Sequence, residues 1–457
     1  MGKRTIAALL LFVGSSLSSL AQEPPAKGEK LGVSDPSFSQ PSLATGVDYT
    51  LPTEADIKST LDRVLAHFER SSTFKIVDIE TGKAITDFSV PDKHAGVDLT
   101  NGEFNDWTYS TGVALAGMLQ VADATGDKRY EQYALKSLDF DFDHLDYFRQ
   151  QASKFGPQPR GYRRLIEMHE LDDCGAMGAA LIKAYSKKQD PRYRTTIDVI
   201  AEYISHKQMR LPDGTLARPR PQPVSLWSDD LYMSVPFLAQ MGQLSGDRKY
   251  FDDAAKQIIQ STNRLMNPST GLVDHAWFEN TPNDPKYYWG RGAGWPVMAT
   301  VELLSVMPED HPDRPKILDI YRRMVQGVAA VQSSNGMWHE VLDKNDSYLE
   351  TSVSAMFTFA IARGVNRGWI SPAYAPIAQT GWQAVATRIR PTGEVDGICV
   401  GTTAAYDMLY YYNRPTDVKA MQGYGPVLMA GAEMITLLRN FDVDKKLNTF
   451  HYRKASH

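Results

Sequence analysis

Cysteine is nearly absent: Cys174 and Cys399 are the two in 457 residues. That excludes a disulfide framework, and a single bridge would have to join those two. Cys174 lies on an apolar helical face, where a free thiol behaves as a small buried hydrophobe, so no bridge is expected. No CxxC or HxxxH spacing occurs, and neither a metal nor a cofactor is expected. Long apolar runs are also lacking. Downstream of the N-terminus nothing approaches the roughly eighteen residues of a membrane span. Charge of one sign is not in excess: 49 Lys and Arg oppose 54 Asp and Glu, for a net charge of −5. The signs are interspersed, so no nucleic-acid or membrane partner is expected. Strand-like alternation is scarce. No Gly-x-Ser-x-Gly elbow, Cys–His pairing or phosphate loop is present.

What is present starts with Met1-Gly2-Lys3-Arg4, an apolar run from Ile6 to Val13 and small residues up to Ala21. A basic start, a short apolar core and small residues predict a signal peptide over 1–21, cleaved after Ala21, and hence a secreted or periplasmic protein. Residues 22–50 are rich in Pro, Ser, Gly and Lys without periodicity and read as a linker or arm. Residues 51–457 read as one helical domain. Helical periodicity dominates it, and Ile57, Leu61, Val64, Leu65 and Phe68 share one face. Twelve helices are expected, among them one over about 127–144, followed by a polar, aromatic insertion over roughly 145–170, one over 229–245, and the last near 425–439.

The chain repeats itself. Asp172-Asp173-Cys174-Gly175 aligns with Asp229-Asp230-Leu231-Tyr232 at a separation of 57 residues, and the match runs without a gap to the turns Gln189-Asp190-Pro191-Arg192-Tyr193 and Gly246-Asp247-Arg248-Lys249-Tyr250. Thr125-Gly126-Asp127-Lys128-Arg129-Tyr130 is a third copy of that turn. A period near 60 residues marks a repeated supersecondary unit. Six helix pairs suit a closed ring, the (α/α)6 barrel, though periodicity alone leaves an open solenoid equally available.

The turns of the Gly-Asp-x-x-Tyr type are short and polar. The opposite joints are long and hold the aromatic and ionisable groups, so function is expected there. In Ser225-Leu226-Trp227-Ser228-Asp229-Asp230 an acidic pair opens a helix after a Pro-rich segment. The plain reading is an N-cap and its neighbour; recurrence of the pair favours a cleft. Trp289-Gly290-Arg291-Gly292-Ala293-Gly294-Trp295 reads either as a Gly-rich helix entry with core Trp, or as an Arg fork for a carboxylate beside flat plates for a sugar ring. His275 is a ligand contact or a hydrogen-bonded structural residue.

At SLWSDDLYMSVPF, LDDCGAMGAAL, YYWGRGAGW and YLETSVSAMFTFAIARG, over roughly residues 54–440, the chain resembles glycoside hydrolase family 105, the unsaturated rhamnogalacturonyl hydrolases, similar to the family 88 unsaturated glucuronyl hydrolases. The resemblance implies an (α/α)6 barrel over 51–457. It also implies removal of a 4,5-unsaturated uronic acid from the non-reducing end of lyase-generated oligosaccharides, by hydration of the double bond. An ordinary (α/α)6 glycosidase and a non-catalytic carbohydrate-binding toroid are the alternatives. Matched by position, the acid/base falls on Asp229 and the second essential carboxylate on Asp173. Binding roles fall on His275, Trp289, Arg291 and Trp295, with Trp227, Tyr109 and Asp230 beside them. Arg218 stands where some members carry His, and Ala293 where Asn is common. Arg291, helped by Arg218, is expected to receive the uronate. Once the anionic substrate displaces water, Asp173, Asp230 and Trp227 are expected to raise the Asp229 pKa against the helix N-terminus, with Asp173 then sharing its proton.

Overall fold

Twelve helices of eleven residues or more account for nearly half of the described chain. In the computed structural model these are α1 (Glu54–Ser71), α2 (Tyr109–Thr125), α3 (Lys128–Phe155), α4 (Gly175–Tyr185), α5 (Pro191–Glu202) and α6 (Val235–Ser245), then α7 (Lys249–Leu265), α8 (Gly290–Val306), α9 (Arg314–Ala330), α10 (Thr351–Asn366), α11 (Ala375–Ala386) and α12 (Tyr424–Asn440). The structure describes residues 50–222, 224–281, 286–446 and 449–455, all within one unit, Pro41–His457. The expected signal peptide over 1–21, and the arm except for Thr50, lie outside the described residues.

The helices are of two kinds. The odd-numbered ones each bury a stripe, as α1 does with Ile57, Leu61, Val64, Leu65 and Phe68. The even-numbered ones are apolar nearly all round: every residue of α8 from Gly290 to Leu304 is buried, and every residue of α10 from Thr351 to Val365. A helix apolar on all sides must be enclosed by others. Accordingly α2 packs on α4, α4 on α6, α6 on α8, α8 on α10, α10 on α12, and α12 on α2. Each even helix also packs on the odd helix that follows it, and α12 on α1. Small residues let the even helices approach: a Cβ on Gly112 of α2 would lie 2.5 Å from the Met177 amide of α4. Toward their C-terminal ends a chain of ion pairs links four of them, Lys183–Glu302 at 2.5 Å, Glu302–Arg363 at 2.9 Å and Arg363–Glu433 at 2.7 Å.

The repeated turn has a physical basis. Gly126 and Gly246 close α2 and α6 at φ +73° and +70°, and Asp127 and Asp190 cap α3 and α5 through their side chains. Tyr130 and Tyr193 donate to Asp62 and Asp139 on the preceding odd helix, both at 2.9 Å. Three expectations differ. The helix expected to end near 144 continues to Phe155. The helix expected over 229–245 is broken into Asp229–Tyr232 and α6, because Pro236 stands in the first turn of α6 and Ser234 leaves helical geometry. After α12 an antiparallel hairpin pairs 441–446 with 449–454, where nothing was expected.

Candidate active site

Asp229 reaches its position through a short sheet. Ser225–Trp227 pairs antiparallel with Ala276–Phe278, with Trp227 opposite Ala276. The Ser228 amide then donates to His275 O at 2.8 Å, which fixes the start of the Asp229–Tyr232 helix beside His275. His275 Nε2 stands 3.2 Å from Asp229 Oδ2, and Ser228 Oγ donates to the same oxygen at 3.3 Å. The His275 side chain is 1% exposed and that of Asp229 is 14% exposed, so the carboxylate is the part that faces out.

Behind His275 lies a group that the sequence did not mark. The Tyr411 hydroxyl is 2.8 Å from His275 Nδ1 and receives the Ala405 amide at 3.0 Å. The same hydroxyl lies 3.4 Å from Ala405 O. These contacts hold the His275 ring so that Nε2 faces Asp229. Burial pushes the Asp229 carboxyl up. The contact with His275 and the charges of Arg218 and Arg291 outweigh it and leave the pKa below the ordinary value. The rise expected once the anionic substrate displaces water starts from this lowered value in the free protein. Replacing Tyr411 by Phe is expected to lower kcat roughly two- to tenfold, the worth of one neutral hydrogen bond, with KM little changed. Steady-state kinetics of the two proteins check it: a rise in KM with kcat unchanged would place Tyr411 at the substrate rather than behind His275.

The repeat copies meet at Arg218. This fully buried side chain donates to Asp172 through Nη1 and Nη2 at 2.8 and 3.0 Å and to Asp230 through Nε at 2.6 Å. It also stacks on Trp227, 4.5 Å from the ring. Asp230 spends its other oxygen on the Trp227 amide at 3.1 Å. Burial pushes Asp230 up to about 6 against the opposing pull of Arg218. Arg218 and Asp230, both expected to bind substrate, are instead a buried brace between the two copies. Asp173 is buried too. It accepts the His169 amide at 2.9 Å and faces Arg163 and Arg164 at 3.3 and 3.5 Å. It shares no partner with Asp229, so the expected sharing of a proton has no contact to support it.

The Trp289–Trp295 segment forms the entry of α8. Trp295 is 0% exposed and packs on Tyr232 and Tyr109; Trp289 is 1% exposed, covers His275 at 4.5 Å between ring centres and donates Nε1 to Glu340 at 2.8 Å. Neither presents a face to a sugar. Trp227 is buried as well. Arg291, 1% exposed, donates to Cys399 O at 2.8 Å, Val400 O at 2.6 Å and Ser352 Oγ at 3.2 Å. Its fork anchors the strap 399–411, which brings Tyr411 to His275; it is not an open receptor for a carboxylate. The roles expected of Arg291, Trp289, Trp295 and Trp227 are thus supporting ones. Tyr109 remains partly exposed; burial pushes its hydroxyl up to about 12, with Asp172 and Asp229 adding to the rise. Both cysteines are free and buried, and Cys399 Sγ lies 3.1 Å from Glu340. Among the described residues no cluster of three His, Cys, Asp or Glu could hold a metal ion, and no helix is long and apolar enough to cross a membrane.

Known structures with this helix succession include glycoside hydrolases. The chain belongs to Glycosyl Hydrolase Family 88, whose model matches residues 83–438. It is similar to the unsaturated rhamnogalacturonyl hydrolase YesR of Bacillus subtilis, 26% identical over 325 residues, 70% of this chain and 86% of that protein. An unsaturated 3S-rhamnoglycuronyl hydrolase of Alteromonas sp. is 27% identical over 219 residues, 46% of this chain and 51% of that protein. A family 105 glycoside hydrolase structure from C. acetobutylicum superposes with a TM-score of 0.62 at 27% identity, covering 73% of this chain and 94% of that one. A possible GH105 member from Salmonella enterica gives 0.66 at 23% identity, covering 85% and 95%, a likeness of fold.

Proposed function

We propose that this glycoside hydrolase releases the 4,5-unsaturated uronic acid from the non-reducing end of oligosaccharides left by polysaccharide lyases, and that its twelve helices form a closed (α/α)6 barrel. The return contact of α12 on α2 supports the barrel. The partly exposed Asp229 carboxylate, beside a histidine that Tyr411 orients, supports the chemistry. Protonated Asp229 delivers its proton to C4 of the vinyl ether. Water adds at C5 and returns a proton to the same carboxylate. The hemiketal at C5 opens, and the neighbouring sugar leaves. The glycosidic oxygen is not the atom first protonated, so the carboxylate separations of inverting and retaining glycosidases do not apply. The names of the Bacillus and Alteromonas relatives favour an acidic, rhamnose-containing polysaccharide as the source. Export, for which the run Met1–Ala21 argues, would place the enzyme where such fragments arise.

Incubation with a lyase-generated oligosaccharide is expected to abolish the ultraviolet absorbance of the conjugated double bond and release the neighbouring sugar. Release of a sugar with the absorbance retained would identify an ordinary glycosidase, and binding without either change a carbohydrate-binding toroid.

A further inference from the structure

His275 owes its place to two neighbours that meet at a third residue. Trp289 covers its ring at 4.5 Å between ring centres, and the strap 399–411 brings the Tyr411 hydroxyl to Nδ1 at 2.8 Å. Glu340 ties the two together. Its fully buried carboxyl accepts the Trp289 indole N–H at 2.8 Å and lies 3.1 Å from Cys399 Sγ, both through Oε1. The backbone repeats the link to α8: Gly290 N donates to Glu340 O at 2.7 Å, and Leu342 N donates to Tyr288 O at 2.9 Å. Trp289, Val341, Cys399 and Tyr411 pack around this point as one buried apolar cluster.

Two carboxyl groups and one arginine share this interior. Glu350 has donors on both oxygens: the Ser352 hydroxyl reaches each, Oε1 also receives the Cys399 amide at 2.8 Å, and Oε2 the Val353 amide at 2.7 Å. Arg291 Nη1 stands 3.9 Å from it. Glu340 uses one oxygen only. Its Oε2 is buried and has no hydrogen-bond partner among the described residues. A negative charge there would be desolvated without a donor, whereas a proton on Oε2 removes the charge and leaves Oε1 free to accept. Burial and Glu350 push the Glu340 carboxyl up to about 8, against Arg291, Cys399 and Trp289. The other ionisable groups that face it stay neutral in that range: burial pushes the Cys399 thiol up to about 11 and raises the Tyr348 hydroxyl as well.

We propose that Glu340 is a positioning residue for the hydration reaction: its carboxyl latches the Trp289 indole to the strap and so holds His275 against Asp229. The inference rests on the hydrolase reading above. Glu340 is enclosed and acts only through Trp289 and Cys399. The latch is closed while the carboxyl is neutral. Ionisation sets a second negative charge beside Glu350 and draws Arg291 away from the Cys399 and Val400 carbonyls that fix the strap. The mount of His275 therefore loosens on the alkaline side.

Glu340→Leu removes the acceptor and is expected to lower kcat about tenfold with KM little changed, while Glu340→Gln keeps an acceptor and recovers most of that loss. The pH profile separates a latch from a merely structural carboxyl. In kcat/KM the loss of one proton gives a fall of about tenfold per pH unit, and Asp229 supplies that slope in both proteins. Above about 8 the wild type is expected to steepen to roughly a hundredfold per unit, two protons then being lost, and Glu340→Gln is not. Parallel profiles, a loss in KM rather than kcat, or a Gln variant as poor as the Leu variant overturns the proposal. Should Glu340→Leu not fold, the profile of Glu340→Gln carries the test. If the wild type consumes no unsaturated saccharide, the hydrolase reading fails, and nuclear magnetic resonance of the indole N–H groups decides the latch by itself. A Trp289 signal, assigned with Trp289→Phe, that moves together with the His275 ring signals at a midpoint of about 8 and stays fixed in Glu340→Gln upholds it. A Trp289 signal indifferent to pH overturns it.

Discussion

Asp229→Asn is expected to abolish consumption of the double bond while leaving the fold and saccharide binding intact. General acid–base catalysis by one positioned group contributes about 10²–10⁴-fold, and the same residue both gives and takes the proton here, so the loss should be at least of that size. Asn keeps the shape and an acceptor oxygen for the Ser228 hydroxyl beside His275 Nε2. It cannot hold a transferable proton. The pH dependence follows from the direction of the shift. In the free protein the Asp229 pKa lies below its ordinary value, so at neutral pH the group is a carboxylate. The reaction begins from the acid form, and an anionic substrate that displaces water favours that form. Substrate capture therefore takes up a proton, and kcat/KM should fall about tenfold per pH unit on the alkaline side of the optimum, one proton being worth that slope. Circular dichroism, saccharide calorimetry and absorbance-monitored turnover separate the three properties. A folded Asp229→Asn protein that still consumes the double bond at near wild-type rate removes Asp229 from the reaction and leaves Asp173 or Asp230 as the acid.

The helices and the Asp229 joint were legible because each rests on local information. Apolar spacing marks the helix faces, the turn Gly-Asp-x-x-Tyr marks the repeats, and an acidic pair after a proline-rich segment marks a joint worth inspecting. What stayed hidden depends on partners distant in sequence. Tyr411 lies 136 positions from the His275 it orients. Nothing in its run of three tyrosines, Tyr410-Tyr411-Tyr412, says which one turns inward. Arg291 and Arg218 looked like receptors because an arginine among glycines or prolines resembles one. Whether its donors are already spent on Cys399 O and Val400 O, or on Asp172 and Asp230, is a property of packing. The buried tryptophans misled in the same way. Composition shows an aromatic side chain but not which face is covered, and Trp289 has one ring face on His275 and its N–H on Glu340.

Arg218→Met is expected to destabilise the protein by about 3–5 kcal/mol at neutral pH, the cost of removing one partner from a buried ion cluster. Met matches the length of the stem and its packing on Trp227, so the effect isolates the guanidinium. Without it Asp172 and Asp230 lose their common cation, and Asp230, whose side chain is 4% exposed, keeps only the Trp227 amide. The pH dependence has a definite sign. Asp230 already titrates at about 6 with Arg218 pulling it down, so removal of Arg218 moves it higher still. A carboxyl whose folded-state pKa is raised favours folding fully below its unfolded value near ~3.9 and loses that contribution as pH rises through the folded value. The deficit of Arg218→Met should therefore be largest above pH 6 and shrink on acidification, as Asp230 takes up a proton. Adding Asp230→Asn to Arg218→Met should recover part of the loss at neutral pH, because a neutral amide no longer needs the cation. Urea midpoints at several pH values measure all three effects. A substrate-binding arginine behaves otherwise: its loss raises KM in a protein as stable as wild type. That outcome would return Arg218 to the substrate and remove it from the brace that joins the two repeats.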